Sequence, residues 1–176
     1  MKLKYICLLL FVYSCKNDLP LIKDYMNTNY SDVFMKKIIF DNSLININKN
    51  INSYNFNENN SVKLLFTGKM NCSPCVIKLK EIEHLLNAKK NLDKVEVIYL
   101  GIGEQSEYFN YQVQLGNFSY YIFSDQNSNF INENELFKYE NSTFLLNKNN
   151  EVILVGDLIN NEVLERYYST LIDENI

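Results

Sequence analysis

The sequence predicts an α/β domain in which a mixed central β-sheet is flanked by helices. Apolar runs of strand length alternate along the chain with segments of helical periodicity, which is typical of a sheet covered by helices. Two later strands are separated only by a short polar turn, which favours an antiparallel hairpin and makes the sheet mixed. The 176 residues, 47% of them hydrophobic, are enough to bury the core of one domain.

The N-terminal segment has the pattern of a sorting signal. Lys2 and Lys4 precede an apolar run over residues 5–13, and this run ends at a small residue before Cys15. The run is too short to cross a bilayer and matches the charged and hydrophobic regions of a signal peptide. We therefore expect this segment to be cleaved.

Residues 12–15 resemble the lipobox of bacterial lipoproteins, in which the signal is removed before a cysteine that becomes lipidated. By this resemblance, residues 1–14 are a lipoprotein signal peptide and Cys15 is the lipidation site. Residues 15–30 are then expected to form a tether, and residues 31–176 to form the folded domain. An ordinary secretory signal or an uncleaved anchor is the alternative.

The central part of the chain predicts a strand that leads directly into a helix. Residues 32–51 have a mixed pattern, that of a helix or strand followed by a short alternating strand. Residues 61–66 are predicted to form an apolar strand, and residues 72–90 are predicted to form a helix. A break that contains a glycine separates the two elements. The residues at helical spacing that should form the buried stripe of this helix are Cys75, Leu79, Ile82 and Leu86.

The remaining elements continue the alternation of strands and helices. We expect, in order, a strand over 95–100, a helix over 104–115 that ends at Gly116, a strand over 118–123, a short irregular helix over 129–139, hairpin strands over 142–146 and 151–155, and a helix from about residue 160. The face of that last helix should be formed by Val163, Leu164, Tyr167, Tyr168, Leu171 and Ile172.

The first turn of the predicted helix over 72–90 carries the sequence Cys72-Ser73-Pro74-Cys75. Unpaired N–H groups and the helix dipole at this position favour a thiolate at Cys72, which makes Cys72 the candidate nucleophile. Cys75 lies one turn further on the same face, so it can attack a mixed disulfide formed at Cys72. Pro74 stiffens the turn at a position where its missing N–H costs nothing.

The four cysteines of the chain divide in a way that supports redox chemistry. Cys7 would be lost with the signal peptide and Cys15 would carry lipid, which leaves Cys72 and Cys75 without a structural disulfide partner. The loop between Cys72 and Cys75 is too short to staple a fold, so a redox-active disulfide is the better interpretation outside the cytoplasm.

Other classes of site find less support in the composition. A net charge of −4 argues against a nucleic-acid surface. A zinc site needs four ligands, and His84, the one histidine, lies too far along the same predicted helix to share a metal with the cysteines. By its helical phase His84 should be a surface residue. We expect no metal and no cofactor, although a two-cysteine copper(I) site remains an alternative.

The order of elements, the cysteine pair at a strand-to-helix corner and the hairpin segment over residues 143–153 resemble thioredoxin-like proteins of the redoxin and envelope thiol–disulfide oxidoreductase type. The likeness covers residues 61–171 and the lipoprotein leader. It implies a thioredoxin-like fold, with Cys72 as the attacking thiolate and Cys75 as the resolving thiol. It also implies partners that are protein disulfides or thiols, and a lipid-anchored place in the bacterial cell envelope, facing the periplasm or exterior.

The chain departs from the family pattern at three positions. A cis-proline usually precedes the first hairpin strand, but here Asn141 or Ser142 takes its place, and we expect a trans peptide. Phe66 stands where a buried acid assists proton transfer, and Asn71 replaces an aromatic residue before the first cysteine. A non-catalytic thioredoxin-like scaffold is therefore an alternative function. A peroxidase is a weaker one, since the expected separated cysteine is missing.

Overall fold

Strand β2, residues Lys63–Lys69, lies in the interior of a six-stranded mixed sheet. The computed structural model describes residues 18–40, 44–51, 61–89, 92, 94–159 and 161–175. Across the sheet, the strands of the described residues lie in the order 45–46, 121–125, 96–102, 63–69, 143–146 and 152–155, with helices packed around them. This architecture confirms the predicted α/β fold with a mixed central sheet.

The elements follow one another along the chain much as the sequence predicts. The strands are β1 Ile45–Asn46, β2 Lys63–Lys69, β3 Glu96–Ile102, β4 Tyr121–Asp125, β5 Thr143–Leu146 and β6 Val152–Val155. The α-helices are α1 Asp18–Asn29, α2 Ser73–Ala88, α3 Glu107–Leu115, α4 Asn129–Glu133 and α5 Glu162–Asn175, and a 3₁₀ helix spans Phe137–Tyr139.

β2 is paired on both sides, which explains why it is buried along almost its whole length. It runs parallel to β3, with Phe66 opposite Tyr99, and antiparallel to β5, with Phe66 opposite Thr143. A strand covered on both edges and both faces is expected to be almost continuously apolar. This central position fixes the end of β2, and with it the start of the chain segment that carries the cysteines.

The antiparallel hairpin of β5 and β6 is confirmed. Its turn is held by one side chain, because Asn147 Oδ1 accepts hydrogen bonds from the amides of Asn149 and Glu151, at 2.9 and 3.0 Å. Asparagine commonly closes turns in this way.

The predicted strand over 118–123 is displaced, since β4 begins only at Tyr121. The Asn48 side-chain amide donates to the carbonyl oxygens of Phe118 and Tyr120, at 3.1 and 2.7 Å. These two carbonyl groups are therefore satisfied by a buried side chain rather than by a strand ladder. Phe118 and Tyr120 still contribute to the core, which explains the strand-like apolar pattern.

The last helix buries the predicted face with one exception. Leu164, Tyr167, Tyr168, Leu171 and Ile172 are buried, but Val163 is 53% exposed. α5 begins at Glu162, so Val163 lies in the first turn and on the solvent side of the helix.

Part of the segment predicted as a tether, residues 15–30, is a helix in the structure. α1 spans Asp18–Asn29 and contacts α5 and β6. Ile22 and Met26 are buried because they lie four residues apart and so share one helix face. The structure therefore places these residues in the folded domain rather than in a tether.

Candidate active site

The two predicted site residues come together at the start of α2. Cys72 is the N-cap residue with extended backbone angles, and the helix begins at Ser73. Cys72 and Cys75 form a disulfide, and their Cα atoms are 5.5 Å apart. Pro74 occupies the first turn, as the sequence predicts.

The two sulfurs differ in their access to solvent. Cys75 is only 5% exposed and belongs to the buried face of α2, whereas Cys72 is partly exposed. An incoming sulfur can therefore reach Cys72 more easily than Cys75. This difference fits an attacking role for Cys72 and a resolving role for Cys75.

The electrostatics at the start of α2 favour a thiolate at Cys72 once the disulfide is reduced. The first turn of the helix contains no acidic residue, and the Cys72 side chain caps no backbone N–H group. The positive end of the helix dipole therefore meets no carboxylate from the first turn and is not satisfied by this side chain.

The segment between β2 and the disulfide is held by hydrogen bonds to the end of β3 and to the loop that follows it. The Met70 carbonyl accepts hydrogen bonds from both the amide and the hydroxyl of Ser106, at 3.2 and 3.0 Å. The Met70 amide donates to the carbonyl of Ile102 at 3.2 Å. Ser106 is also the N-cap of α3, so one residue links the disulfide loop to a second helix. Sequence reasoning did not identify this residue, because the contact joins segments far apart in the chain.

The turn over residues 139–142 lies beside the end of β2. The hydroxyl of Thr67 donates to the carbonyl of Tyr139 at 2.7 Å and accepts the amide of Ser142 at 3.0 Å. The described residues contain no cis peptide bond, so the trans peptide expected at Asn141 and Ser142 is confirmed. Thr67 was not predicted as a site residue, and nothing in its local sequence marks it.

No buried carboxylate occupies the position of Phe66. This side chain is fully buried in the hydrophobic core, as its apolar character predicts. No carboxylate at this position can therefore accept a proton from Cys72 or Cys75.

His84 lies away from the disulfide, on the exposed side of α2 as predicted. It borders an open cleft of about 510 Å³ between α2 and the start of α5, where Glu81 and Glu165 are also found. Across the described ranges of the chain, no three His, Cys, Asp or Glu side chains are grouped so that they could hold a metal ion.

Cys7, Cys15 and the predicted signal peptide over residues 1–14 lie outside the residues that the structure describes. Within the described part of the chain, none of the helices has the length and hydropathy needed to span a bilayer.

No protein-family model and no curated protein sequence matches the chain. Similar solved structures include a thioredoxin-like protein in its oxidised form, with a TM-score of 0.57 and 13% identity over 81% of this chain and 96% of that one. Another is a Chlorobium tepidum protein assigned as the thiol:disulfide interchange protein DsbE, with a TM-score of 0.51 and 14% identity over 66% of this chain and 82% of that one. StoA from Bacillus subtilis has a TM-score of 0.50 and 15% identity over 65% of this chain and 84% of its own. The chain therefore has a thioredoxin-like fold.

Proposed function

We propose that the protein is a thiol–disulfide oxidoreductase that exchanges disulfides with protein partners through Cys72 and Cys75. The observation that supports this most directly is the disulfide between the partly exposed Cys72 at the N-cap of α2 and the buried Cys75 one turn further on. Such a pair joins an accessible nucleophile to a protected second thiol. The name of the similar Chlorobium tepidum protein describes the same chemistry.

The proposed reaction needs only the two thiols of the reduced protein and a partner disulfide. The Cys72 thiolate attacks one sulfur of the partner, forms a new S–S bond and releases the other partner sulfur as a thiolate. The Cys75 thiolate then attacks the Cys72 sulfur, which closes the intramolecular disulfide and releases the second partner thiol. The protein is oxidised by two electrons and the partner is reduced by two, and the reverse sequence oxidises a partner dithiol.

The reduction potential of the pair tests this proposal. The full chain would be equilibrated with mixtures of reduced and oxidised glutathione, and the free thiols trapped by alkylation. A potential between about −270 and −120 mV, the span of known Cys-x-x-Cys proteins, would support reversible exchange. A disulfide that stays unreactive below about −300 mV would contradict it and favour a non-catalytic scaffold.

A trapping experiment assigns the two roles. The Cys75→Ser variant should accumulate mixed disulfides with protein partners, because the resolving thiol is missing. The Cys72→Ser variant is the matched control and should accumulate none. Equal trapping by both variants would contradict the assignment of Cys72 as the attacking thiol.

We also propose that the protein acts in the cell envelope and is anchored through lipid on Cys15. The signal-like residues 1–14 and the lipobox-like residues 12–15 support this location. Incorporation of labelled palmitate into wild type but not into Cys15→Ala would support the anchor, and equal incorporation would contradict it.

A further inference from the structure

Tyr99 carries a buried hydroxyl group that has no hydrogen-bond partner in the part of the chain that the structure describes. The residue is fully buried in β3, and its ring packs against Phe109 of α3 with the ring centroids 6.2 Å apart. Burial of an unpaired hydroxyl costs free energy, and such groups are rare in folded proteins. Phenylalanine would pack in the same way without this cost, so packing alone does not account for the hydroxyl.

The hydroxyl of Tyr99 lies over Gly68 on the neighbouring strand β2. A Cβ atom added at Gly68 would come within 2.4 Å of this oxygen, so a larger residue there would displace it. β2 and β3 are parallel, and Tyr99 lies opposite Phe66, two residues before Gly68. The hydroxyl therefore reaches toward the C-terminal end of β2, which leads into the cysteine motif.

The side chain of Tyr99 points to the face of the sheet that α2 covers. Successive side chains of a strand point to opposite faces, so Tyr99 and Val97 share one face. Val97 lines a cavity of about 260 Å³ together with Leu86 of α2. The hydroxyl therefore lies between β2 and α2.

Distances along α2 and β2 place this hydroxyl level with the second cysteine. Leu86 of α2 lies beside Val97, which pairs with Leu64 of β2. Cys75 lies eleven residues before Leu86, which is about 16 Å along a helix. Gly68 lies four residues after Leu64, which is about 13 Å along a strand in the same direction. The helix turn that carries Cys75 therefore lies over the end of β2 where the hydroxyl is found.

A thiolate at Cys75 needs a donor from the protein. Cys75 is only 5% exposed, and a buried anion without a hydrogen bond is unfavourable. Phe66 offers no polar group on this face, whereas the Tyr99 hydroxyl is unpaired. Burial raises the pKa of Tyr99, so its hydroxyl keeps its proton at neutral pH and is a donor rather than a base.

We propose that the Tyr99 hydroxyl is the hydrogen-bond donor that stabilises the Cys75 thiolate when the partner is released. In this step Cys75 loses its proton to solvent and its sulfur bonds to the Cys72 sulfur, while the bond between Cys72 and the partner breaks and the partner leaves as a thiolate. Tyr99 keeps its proton throughout. This inference rests on the proposed disulfide exchange and adds to it a residue that acts on the second step alone.

One reaction measures both steps. The reduced full chain, with Cys7 and Cys15 replaced by serine in every variant, would be mixed in a stopped-flow instrument with less than one equivalent of dithiobis(nitrobenzoate). Attack by Cys72 releases the first coloured thiolate, and attack by Cys75 on the resulting mixed disulfide releases the second. The two rates would be measured from acidic to alkaline pH.

We expect Tyr99→Phe to slow the second release about tenfold at neutral pH and to leave the first unchanged, because only the charged form of Cys75 loses a donor. The difference should disappear at alkaline pH, where Cys75 is ionised in both proteins. Urea denaturation should show the oxidised variant to be at least as stable as wild type, since the hydroxyl has no partner within the described residues.

Tyr120→Phe is the matched control. This change removes another buried hydroxyl, which donates to the carbonyl of Leu79 in α2 at 2.7 Å. It should lower the stability of the oxidised protein and leave both rates of thiolate release as in wild type.

The outcomes separate this inference from the function on which it rests. If Tyr99→Phe leaves the second rate and its pH profile unchanged, the role of Tyr99 is overturned while disulfide exchange stands. If the variant slows both releases, or slows the second by the same factor at every pH, the hydroxyl acts through packing and the proposed role is also overturned. If wild type releases no thiolate, or only the first, the proposed exchange itself fails.

Discussion

The hydroxyl of Thr67 lies 2.7 Å from the carbonyl oxygen of Tyr139, to which it donates, and 3.0 Å from the Ser142 amide, from which it accepts. One side chain of the central strand therefore bonds to two backbone groups of the turn over residues 139–142. The Ser142 amide also donates to the Tyr139 carbonyl at 3.0 Å, so without the fully buried hydroxyl of Thr67 these two backbone groups would keep only each other as partners.

We expect Thr67→Val to lower the free energy of unfolding by about 0.5–1.5 kcal/mol, because it removes the hydroxyl's hydrogen bonds to two backbone groups that otherwise pair only with each other. Valine keeps the shape of threonine, so the change removes the hydroxyl without opening a cavity. Urea denaturation of the oxidised protein would measure the effect. Thr67→Ser keeps the hydroxyl and should restore much of the lost stability relative to Thr67→Val. A valine variant as stable as wild type would show that the two contacts contribute nothing.

The unequal exposure of the two cysteines predicts unequal reactivity in the reduced protein. Cys75 is 5% exposed, whereas Cys72 is partly exposed at the helix N-cap. We expect iodoacetamide to modify Cys72 at least about tenfold faster than Cys75, because the thiolate is both favoured and accessible there. Mass spectrometry of briefly labelled protein would give the ratio. Modification of Cys75 first would contradict the assignment of the attacking thiol.

The elements that could be predicted from the sequence are those whose cause is local. The strand-to-helix corner at Cys72 follows from an apolar run and a helix start, and the β5–β6 hairpin follows from a polar turn closed by Asn147. In both cases the residues that determine the structure are close together in the sequence. The position of the disulfide at the corner was predictable for the same reason.

Other features depend on contacts between residues far apart in the chain, and such contacts cannot be predicted from a local sequence pattern. The displaced start of β4 depends on Asn48, which lies 70 residues before Phe118. The turn over residues 139–142 depends on Thr67, 72 residues before Tyr139. A threonine in a buried strand has no local feature that marks it as the partner of such a turn.

The environment of Tyr139 predicts that the stability of the fold depends on pH in the alkaline range. Burial raises the pKa of Tyr139 from 10.0 to about 12, and the hydrogen bond from its hydroxyl to Asp32 adds to the shift. The unfolded chain therefore releases this proton first as the pH rises. The contribution of the protonated Tyr139 hydroxyl to the free energy of unfolding is complete below pH 10 and is lost between pH 10 and pH 12.

We expect Tyr139→Phe to make the fall in unfolding free energy between pH 10 and pH 12 less steep than in wild type. Urea denaturation at a series of pH values would measure the slope. Asp32→Asn removes the charge of the acceptor and should give an intermediate slope, because burial, the larger cause, remains. If Tyr139→Phe leaves the slope of wild type unchanged, the tyrosine does not titrate as its environment predicts.

Helix α1, residues 18–29, either unfolds cooperatively with the rest of the domain or only connects the domain to the N-terminus. Met26 is fully buried, and its sulfur accepts the amide of Val155 at 3.3 Å. We expect Met26→Ala to lower the free energy of unfolding by about 2–5 kcal/mol, through lost burial and the cavity left behind. Leu21, on the same helix, is 51% exposed, so Leu21→Ala is the matched control and should change stability by less than about 0.5 kcal/mol. If both variants unfold like wild type, α1 adds nothing to the stability of the domain, and its residues act as the tether that the sequence predicts.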